Sequence, residues 1–499
     1  MYYKSTRNSS LKVTASEAIA KGISEEGGLF VPESFPFVKE RLSELRKLDY
    51  ISLAKEILSL YLTDYTKEEI DECAEKAYET SKFSGEQVRL HEVENEDGVY
   101  SLELWHGPTC AFKDMALQLL PHLLTKAFKK QADGKKAVIL VATSGDTGKA
   151  ALEGFKDVEN TQIIVFYPEN GVSPMQLRQM NTQEGENVCV CAVKGNFDDC
   201  QTQVKRIFTS VELKKLLAEN NMLFSSANSI NWGRLLPQIV YYFYAYFRFL
   251  DRMGVGDETE EINIAVPTGN FGNILAAYYA KMMGLPVNKF ICASNSNNVL
   301  TDFINGGTYN KLRRFYTTIS PSMDILVSSN LERLLYHLAG NDDKQTAEWM
   351  NALNSKGEYT VDAATEERVK ENFAAYCCDE KGTSENIKET FENSSYLIDT
   401  HTAVAFKAVK DYREETEDYT PVVIASTASP YKFSKSVLSS ISDYENDDEF
   451  AVVEELSKVS GLEVPAALKA LKTKPTRFTN VCDRDSISEF VINTLGIKE

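Results

Sequence analysis

The chain has 499 residues and a formal charge of −19 at pH 7, because 73 acidic residues outnumber 54 basic ones. This charge argues against nucleic acid or an anionic membrane as a main partner. A hydrophobic share of 43% is ordinary for a soluble globular protein, and a chain of this length folds as about two to four domains.

The N-terminal sequence MYYKSTRNSS lacks the apolar core of a secretory signal. The most apolar long run, 235–250, is shorter than a typical membrane span and contains Gln238 and Arg248, so it predicts a buried helix. Nine cysteines and five histidines show no metal-ligand spacing. We therefore expect reduced thiols, no metal site, no membrane partner and a cytoplasmic location.

Residues 1–98 are expected to form a small, mainly helical N-terminal domain. Helical periodicity covers 16–21, 42–62 and 66–81. A polar stretch at 92–98 ends this region and precedes a change of pattern.

From residue 136 onward, short apolar runs alternate with glycine-bearing turns and helical patterns. This alternation predicts an α/β fold of parallel sheets with helices on both faces. Two sheets, separated near 252–261, fit the length better than one very wide sheet. The apolar runs lie at 137–142, 162–166, 188–193, 223–227, 262–266, 290–293 and 422–426.

These patterns predict a small α/β domain at 131–249 and a larger domain built from 99–130 and 250–499. Within the larger domain, the acidic stretch 342–392 has helical periodicity and is interpreted as a solvated insertion. An amphipathic pattern at 485–498 predicts a final helix.

Lys113 lies among apolar residues after a Gly-Pro-Thr turn, at the predicted start of a helix. The helix dipole and lost hydration both destabilise an ammonium there, which lowers its pKa. The neutral amine so released is the form that attacks a carbonyl to make a Schiff base. This stretch alone leaves open a lysine that extends into solvent beside Asp114.

The loop 268–273 carries Gly269 and Gly272 between an apolar strand and a helix. Backbone N–H groups in such a loop can surround an anion at the helix N-terminus. The spacing is neither the dinucleotide fingerprint nor a P-loop, so it suits a single phosphate monoester. A tight turn that needs glycine for steric reasons is the alternative.

The loop 143–148 also precedes a helix and offers hydroxyls at Thr143, Ser144 and Thr147. Hydroxyls together with free backbone N–H groups can bind a carboxylate. The alternative is an ordinary capping turn with Asp146 as N-cap.

Residues 225–234 concentrate hydrogen-bond donors ahead of the buried helix, including Ser226 and Asn231. The planar guanidinium of Arg234 suits a second anion, although a surface ion pair is the alternative. Beyond the apolar run 422–426, the Thr427 hydroxyl could hydrogen-bond a heterocycle where doubly wound folds present ligand groups, or could belong to a plain turn.

Taken together, these residues resemble the threonine synthase family, in its long subgroup with an extra N-terminal domain. That family consists of pyridoxal-phosphate enzymes of the tryptophan-synthase-β type, fold type II. The matching stretches run in order over most of the chain. They are 26–32, 106–118, 142–151, 181–201, 228–234, 266–273 and 427–433.

The resemblance implies two parallel-sheet αβα domains that bind pyridoxal 5'-phosphate, with Lys113 forming its Schiff base and acting in catalysis. Thr427 matches the hydroxyl that faces the pyridine nitrogen. The residues matching the cofactor phosphate loop are Gly269, Asn270, Phe271, Gly272 and Asn273. The residues implied at the substrate are Thr143, Ser144, Asp146, Thr147, Ser226, Asn231 and Arg234.

The implied reaction, the last step of threonine biosynthesis, converts O-phospho-L-homoserine and water to L-threonine and phosphate by γ-elimination and β-addition of water. Such an enzyme is a cytoplasmic monomer or homodimer that uses no metal. Two residues depart from the family pattern: Ser429 replaces a histidine and Lys149 replaces a small residue. No imidazole role is therefore carried over to position 429, whereas Thr427 is unaffected.

Three alternatives remain open to the sequence. A serine or threonine dehydratase or a β-replacement enzyme would share Lys113, the phosphate loop and the sheets, but length, N-terminal region and 228–234 favour a threonine synthase. A non-catalytic relative would have no need of Lys113. A nucleotide-binding or scaffold protein would be colourless, whereas a pyridoxal-phosphate protein is yellow.

Overall fold

The computed structural model describes residues 1–143, 145–256 and 258–497, the side chains of 197 and 198 excepted. In this part of the chain the strands are β1 (Tyr3–Ser5), β2 (Asn8–Val13), β3 (Phe30–Pro32), β4 (Arg89–Glu92), β5 (Val99–Glu103), β6 (Lys136–Ala142), β7 (Thr161–Pro168), β8 (Val188–Lys194), β9 (Met222–Ser225), β10 (Ile262–Pro267), β11 (Val287–Ser294), β12 (Thr308–Asn310), β13 (Glu358–Thr360), β14 (Phe373–Cys377), β15 (Val422–Ser426) and β16 (Asn480–Asp483).

The helices of the same residues are α1 (Ala15–Lys21), α2 (Leu42–Leu45), α3 (Tyr50–Tyr61), α4 (Lys67–Tyr78), α5 (Asp114–Leu117), α6 (Leu120–Gln131), α7 (Asp146–Phe155), α8 (Pro174–Asn181), α9 (Phe197–Thr209), α10 (Val211–Glu219), α11 (Trp232–Met253), α12 (Gly272–Met282), α13 (Val299–Gly306), α14 (Leu331–Leu338), α15 (Asp343–Lys356), α16 (Ala363–Asn372), α17 (Glu380–Ser394), α18 (Thr400–Thr416), α19 (Ser434–Ile441), α20 (Glu449–Ser460), α21 (Ala466–Lys469) and α22 (Ile487–Thr494).

The N-terminal region combines its helices with a small antiparallel sheet of order β2-β1-β3. Thr66 begins α4 with a capping box to Glu69, which explains why the helix starts there. The small sheet was not predicted, because β1 and β3 are only three residues long. Strand β4 falls within 1–98 but pairs antiparallel with β5, so this part of the predicted domain lies in the larger sheet.

The larger sheet has the order β14-β11-β10-β15-β5-β4 and is parallel except at its β4 edge. Successive residues of a strand face opposite sides of the sheet. Ile264 and Val266 accordingly belong to the core on the face where α12 packs, whereas Ala265 belongs to the core on the other face, where α18 packs. This arrangement confirms the predicted α/β class.

The smaller sheet has the order β16-β8-β7-β6-β9, and all its pairs are parallel. The predicted apolar runs form β6, β7, β8 and β9. Strand β16 comes from the C-terminal region, where Asn480 pairs with Cys191, and α22 packs on α9. The predicted larger domain therefore does not continue to residue 499. Pairing with β16 satisfies the backbone groups that the outer edge of β8 would otherwise expose.

The acidic stretch 342–392 forms the predicted helices α15, α16 and α17, but it also contains β14. This strand pairs in parallel with β11, beginning at Phe290 and Phe373, and forms the edge of the larger sheet. Phe373 and Ala375 are buried there. The interpretation of the stretch as a solvated insertion is therefore wrong for this strand, because five residues between helices leave little periodicity to detect.

Helix α11 is the predicted buried helix, and nearly all of its 22 residues are buried. It contacts α5 and α12, and Tyr241 and Tyr242 of α11 reach the first turn of α12 at Asn273. No helix within 1–143, 145–256 and 258–497 is both long and apolar enough to cross a bilayer.

Candidate active site

Lys113 lies at the N-cap of α5, and only 9% of its surface is exposed. Its Nζ lies 3.5 Å from Asp146 Oδ2 and donates to Ser322 Oγ at 3.4 Å. Asp114 is not its partner, because that carboxylate accepts from the Thr109 N–H and hydroxyl, both at 2.8 Å. The solvent-exposed alternative for Lys113 is therefore excluded.

Asp146 lies between two lysines. Its Oδ1 is 2.7 Å from Nζ of Lys432, which also donates to the Thr109 carbonyl at 3.0 Å. Although burial opposes ionisation, Lys432 and Lys113 hold the pKa of Asp146 well below its usual range. Gln176 Nε2 completes the set by donating to Oδ1 at 3.1 Å. Asp146 is thus an ionised bridge between two amines.

The pKa of Lys113 is lowered from its ordinary value. Burial is the largest cause, and the charges of Lys432 and Arg234 lower the pKa further, against the opposing effect of Asp146. Two lysines thus share one carboxylate, and the charge of Arg234 acts on the Lys113 amine, in an otherwise acidic protein. Such a buried cluster of positive charge favours anionic ligands and a neutral amine at position 113.

The loop 269–273 connects β10 to α12, and Phe271 takes a left-handed conformation with φ of 64° at the helix N-cap. Asn273 Oδ1 accepts from the Tyr241 hydroxyl at 2.8 Å and from the Tyr242 hydroxyl. Its Nδ2 is buried without a hydrogen-bond partner among the described residues. A helix start with an unused amide donor fits an anionic phosphate.

Gly269 also meets a steric requirement. A Cβ at this position would lie 2.6 Å from the Ser322 carbonyl oxygen, so no other residue fits without a shift of the backbone. The Gly269 carbonyl accepts from Ser328 Oγ at 2.6 Å, and the Asn270 carbonyl accepts from Asn330 Nδ2 at 3.0 Å. The steric interpretation of the loop is therefore observed, and the binding of an anion by the same loop stays a prediction.

Thr143 stabilises the turn that leads into α7. Its Oγ1 accepts from the N–H groups of Gly145 and Gly148, both at 2.9 Å. Gly145, with φ of 138°, is the N-cap of α7, so the alternative with Asp146 as N-cap is not observed. Ser144 lies outside the described residues. Thr147 is partly buried in the first turn of α7.

Arg234 lies in the first turn of α11 with 4% of its surface exposed, and none of the described acidic residues pairs with it. One guanidinium nitrogen donates to the Ala227 carbonyl at 3.0 Å, while the buried Nε has no partner within the described residues. Burial lowers the pKa of Arg234 to about 10. The alternative of a surface ion pair is excluded, and a buried cation with an unused donor remains.

Asn231 and Ser226 hold the loop before α11. Asn231 is fully buried, caps α11 through the Gly233 N–H at 2.9 Å, and donates to the Ile19 and Ser226 carbonyls at 3.0 and 2.8 Å. Ser226 Oγ accepts from the Asn228 N–H at 3.2 Å. These contacts fix the loop that precedes Arg234, and direct substrate contacts of Asn231 and Ser226 stay predictions.

Thr427 follows β15, and its carbonyl accepts from the Phe112 N–H at 2.8 Å, which places it beside the Lys113 segment. Ser429 N–H donates to the Cys110 carbonyl at 3.1 Å, and its hydroxyl accepts from the Tyr431 N–H at 3.4 Å. Ser429 thus caps the turn Pro430–Phe433.

The second departure from the family pattern, Lys149, is buried, lies 3.0 Å from Glu153 Oε2 and also contacts Gln183. Burial lowers the pKa of Lys149, which Glu153 opposes. Its charge is matched by Glu153 one turn later in α7, so α7 accommodates a lysine in place of a small residue.

Two residues that touch Lys113 or its bridge were missed by sequence analysis. Lys432 lies within the matching stretch 427–433, and a lysine in an otherwise apolar turn is a signal that could have found it. Ser322 lies in the long connection between β12 and α14, which has no periodicity and so offers no signal.

A cavity of about 880 Å³ opens elsewhere, beside Trp105, His106 and Tyr396, and none of the predicted site residues lines it. The chemistry around Lys113, rather than cavity size, identifies the candidate active site.

Three family models cover the chain. "Threonine synthase N terminus" matches 2–78, "Pyridoxal-phosphate dependent enzyme" matches 86–427, and "Threonine synthase, C-terminal" matches 402–491. The chain belongs to the threonine synthase family. Both the predicted family and its pyridoxal-phosphate cofactor are confirmed by these matches.

Individual members of the family are similar to this chain over most of its length. Threonine synthase of Saccharomyces cerevisiae is 36% identical over 488 residues, covering 92% of this chain and 93% of the yeast protein. Threonine synthase-like 1 of Homo sapiens is 40% identical over 439 residues, covering 85% of this chain but 58% of the human protein. The chain thus spans little more than half the length of that curated relative.

Among solved structures, the PLP-bound threonine synthase from Brucella melitensis superposes with a TM-score of 0.87. The two are 33% identical, and the match covers 99% of each chain. The family likeness therefore extends from the N-terminal region to the C-terminal strand.

Proposed function

We propose that this protein is a threonine synthase that converts O-phospho-L-homoserine and water to L-threonine and inorganic phosphate. The observation that carries the proposal is the buried amine of Lys113, which shares one carboxylate with Lys432 while Arg234 contributes a further positive charge. A substrate with a carboxylate and a phosphate, together with a phosphorylated cofactor, supplies the anions that these cations require.

The residues present fit pyridoxal phosphate. Lys113 would hold it covalently through its amine, and the 269–273 loop would hold its phosphate at the start of α12, where Asn273 Nδ2 is an unused donor. The Thr427 hydroxyl would face the ring nitrogen. When bound, the cofactor accepts electron density from the substrate carbons and so stabilises carbanions at Cα and Cβ.

Lys113 moves the protons of the reaction. Burial lowers its pKa, so the amine is available as a base that removes the proton from Cα and later returns one. Asp146 keeps this amine beside α7 and supplies a fixed negative charge. A further proton leaves Cβ as the Cγ–O bond to phosphate breaks, and Cγ gains a proton to become the methyl group. Water then adds its hydroxyl at Cβ and a proton returns to Cα, so that threonine and inorganic phosphate are the products.

The two anionic ends of the substrate need separate sites. Arg234, whose buried Nε has no partner among the described residues, would bind the phosphate that leaves. Backbone N–H groups at the start of α7, together with the hydroxyls of Ser144 and Thr147, would bind the carboxylate. The Asp146 carboxylate cannot do so, since like charges repel, and it serves the two lysines instead.

We propose that the enzyme acts in the cytoplasm as a monomer or homodimer, with neither nucleic acid nor membrane as a partner. The net charge of −19 supports this, as do cysteines that are all unpaired in the structure.

The proposal is tested by supplying phosphohomoserine, serine and threonine separately and assaying released phosphate, threonine and ketoacid. We expect phosphate and threonine from phosphohomoserine alone; ketoacid from serine or threonine as the main product would instead indicate a dehydratase. Borohydride reduction should fix the cofactor on the peptide that contains Lys113. Lys113→Ala should be inactive and colourless, whereas the exposed Lys129→Ala should behave as the unmodified protein.

A further inference from the structure

Ser322 is the second side chain, after Asp146, that touches the Lys113 amine. It lies in the short turn Pro321–Met323, within the connection from β12 to α14. Lys113 Nζ donates to its Oγ at 3.4 Å, and the Phe112 ring lies 4.9 Å from the same Nζ. Among the described residues, Ser322 is thus the uncharged side chain that hydrogen-bonds the amine.

The buried His401 fixes the backbone of Ser322 by a hydrogen bond. The Ser322 N–H donates to His401 Nε2 at 3.1 Å, and His401 Nδ1 lies 2.9 Å from Asp399 Oδ1. Because an N–H can only donate, Nε2 must accept, and the ring proton must be on Nδ1, donated to Asp399. His401 and Asp399 are both almost completely buried, so this chain of contacts is shielded from water.

The N-terminus of α18 contacts the connection that contains Ser322 at a second point, Ile319. Asp399 is the N-cap of α18, and the Thr400 hydroxyl donates to the Ile319 carbonyl at 2.8 Å. Helix α18 packs on β10 and β11 of the larger sheet. The Ser322 carbonyl leaves no room for a Cβ on Gly269, so the turn is also fixed against the phosphate loop.

We propose that Ser322 is a catalytic residue that orients the Lys113 amine during proton transfer, and that His401 and Asp399 are its positioning residues. This proposal rests on the proposed function. An amine that alternates between its cofactor tether and the substrate Cα must be held in both charge states. A hydroxyl can do this, because it accepts from an ammonium and donates to a neutral amine.

The charged groups that face Lys113 are Asp146 on α7, Lys432 after β15 and Arg234 on α11. They set how easily the amine loses its proton, but each is fixed by other partners. Ser322 orients the amine instead, since the hydrogen bond from its backbone N–H to His401 sets the position of its hydroxyl.

The first test does not require turnover. Competitive acetylation of the cofactor-free protein across pH, followed by mass spectrometry of the Lys113 peptide, measures the pKa of that amine. Ser322→Ala removes a hydrogen bond that is stronger with the charged ammonium than with the neutral amine, so the pKa of Lys113 should fall further. Thr317→Ala, at an exposed position of the same connection, should leave it unchanged. An unchanged pKa in Ser322→Ala would overturn the proposal.

The second test uses steady-state kinetics of the holoenzyme. Ser322→Ala should lower kcat roughly 10- to 100-fold, as expected for a lost hydrogen bond to a charged group, while KM changes by less than about twofold. His401→Leu should shift kcat and the Lys113 pKa in the same direction, and His401→Gln, which keeps an acceptor for the Ser322 N–H, should recover both. If His401→Gln is no better than His401→Leu, the positioning role is wrong.

The two tests separate this inference from the proposed function. Were the protein to act on another substrate, the acetylation result would still report the contact between Ser322 and Lys113, whereas the loss of threonine formation would be seen in every variant and in the unmodified protein alike.

Discussion

The replacement of Lys432 by methionine tests the ion pairs that Asp146 forms with Lys432 and Lys113 in the candidate active site. Methionine keeps much of the side-chain volume but removes the ammonium that lies 2.7 Å from Asp146 Oδ1. The carboxylate then keeps Lys113 at 3.5 Å and Gln176 at 3.1 Å as partners. The buried Asp146 carboxylate loses the nearer of its two cationic partners, and the free energy of unfolding should therefore fall.

The magnitude follows from the distances. At an effective dielectric constant of 20, a pair at 2.7 Å attracts by about 6 kcal/mol and one at 3.5 Å by about 5 kcal/mol. The desolvation of Lys432, which the variant no longer undergoes, offsets part of the loss. Removal of one partner from a buried pair costs about 3–5 kcal/mol. Because Lys113 and Gln176 remain, we expect the lower end, about 3 kcal/mol.

Urea titration followed by tryptophan fluorescence would measure this change. Lys472→Met is the matched control, because its Nζ lies 2.6 Å from Glu454 on the surface, and it should cause no measurable loss. Replacing Asp146 by asparagine in the Lys432→Met protein should recover part of the stability, since the buried carboxylate is gone and Lys113, whose pKa burial lowers, can become neutral. A loss below about 1 kcal/mol in Lys432→Met, the size typical of exposed pairs, would refute the reasoning.

Three further predictions concern the remaining polar groups. Arg234→Ala should raise KM for phosphohomoserine roughly 10- to 100-fold, because a charged hydrogen bond to phosphate is lost; an unchanged KM in the phosphate-release assay would move the phosphate site elsewhere. Asn273→Asp replaces the unused donor by a negative charge, so the Kd of pyridoxal phosphate, measured by absorbance titration of the cofactor-free protein, should rise roughly 10- to 100-fold; equal affinity would contradict its place in the phosphate loop. Burial raises the pKa of Asp114 to about 6, so its contribution to stability is complete below its unfolded pKa and is lost as pH rises through about 6. Asp114→Asn should therefore flatten the fall in unfolding free energy between pH 4 and 7, by an amount on the order of 3 kcal/mol, in urea titrations at each pH, and parallel curves would show that Asp114 does not titrate there.

Much of the fold could be predicted because its signals are local. The runs 137–142 and 262–266 are continuously apolar and are followed by glycine-bearing turns, and they form β6 and β10. A strand buried on both faces requires such a run whatever its neighbours are. Strands β14 and β16 were missed because each is short and lies at a sheet edge, where pairing with β11 or β8 decides that the segment is a strand.

The same division applies to the site. The sequence by itself determined Lys113 and the 269–273 loop, since a lone lysine at a helix start and two glycines after a strand have chemical meaning within a few residues. Only the tertiary structure decided that Lys432 and Ser322 surround that lysine. Ser322 lies 209 positions from Lys113 along the chain, and Lys432 lies 323 positions from its acceptor at Thr109. Contacts at such separations follow from how two sheets pack, and no local periodicity encodes which side chains that packing brings within a few ångströms.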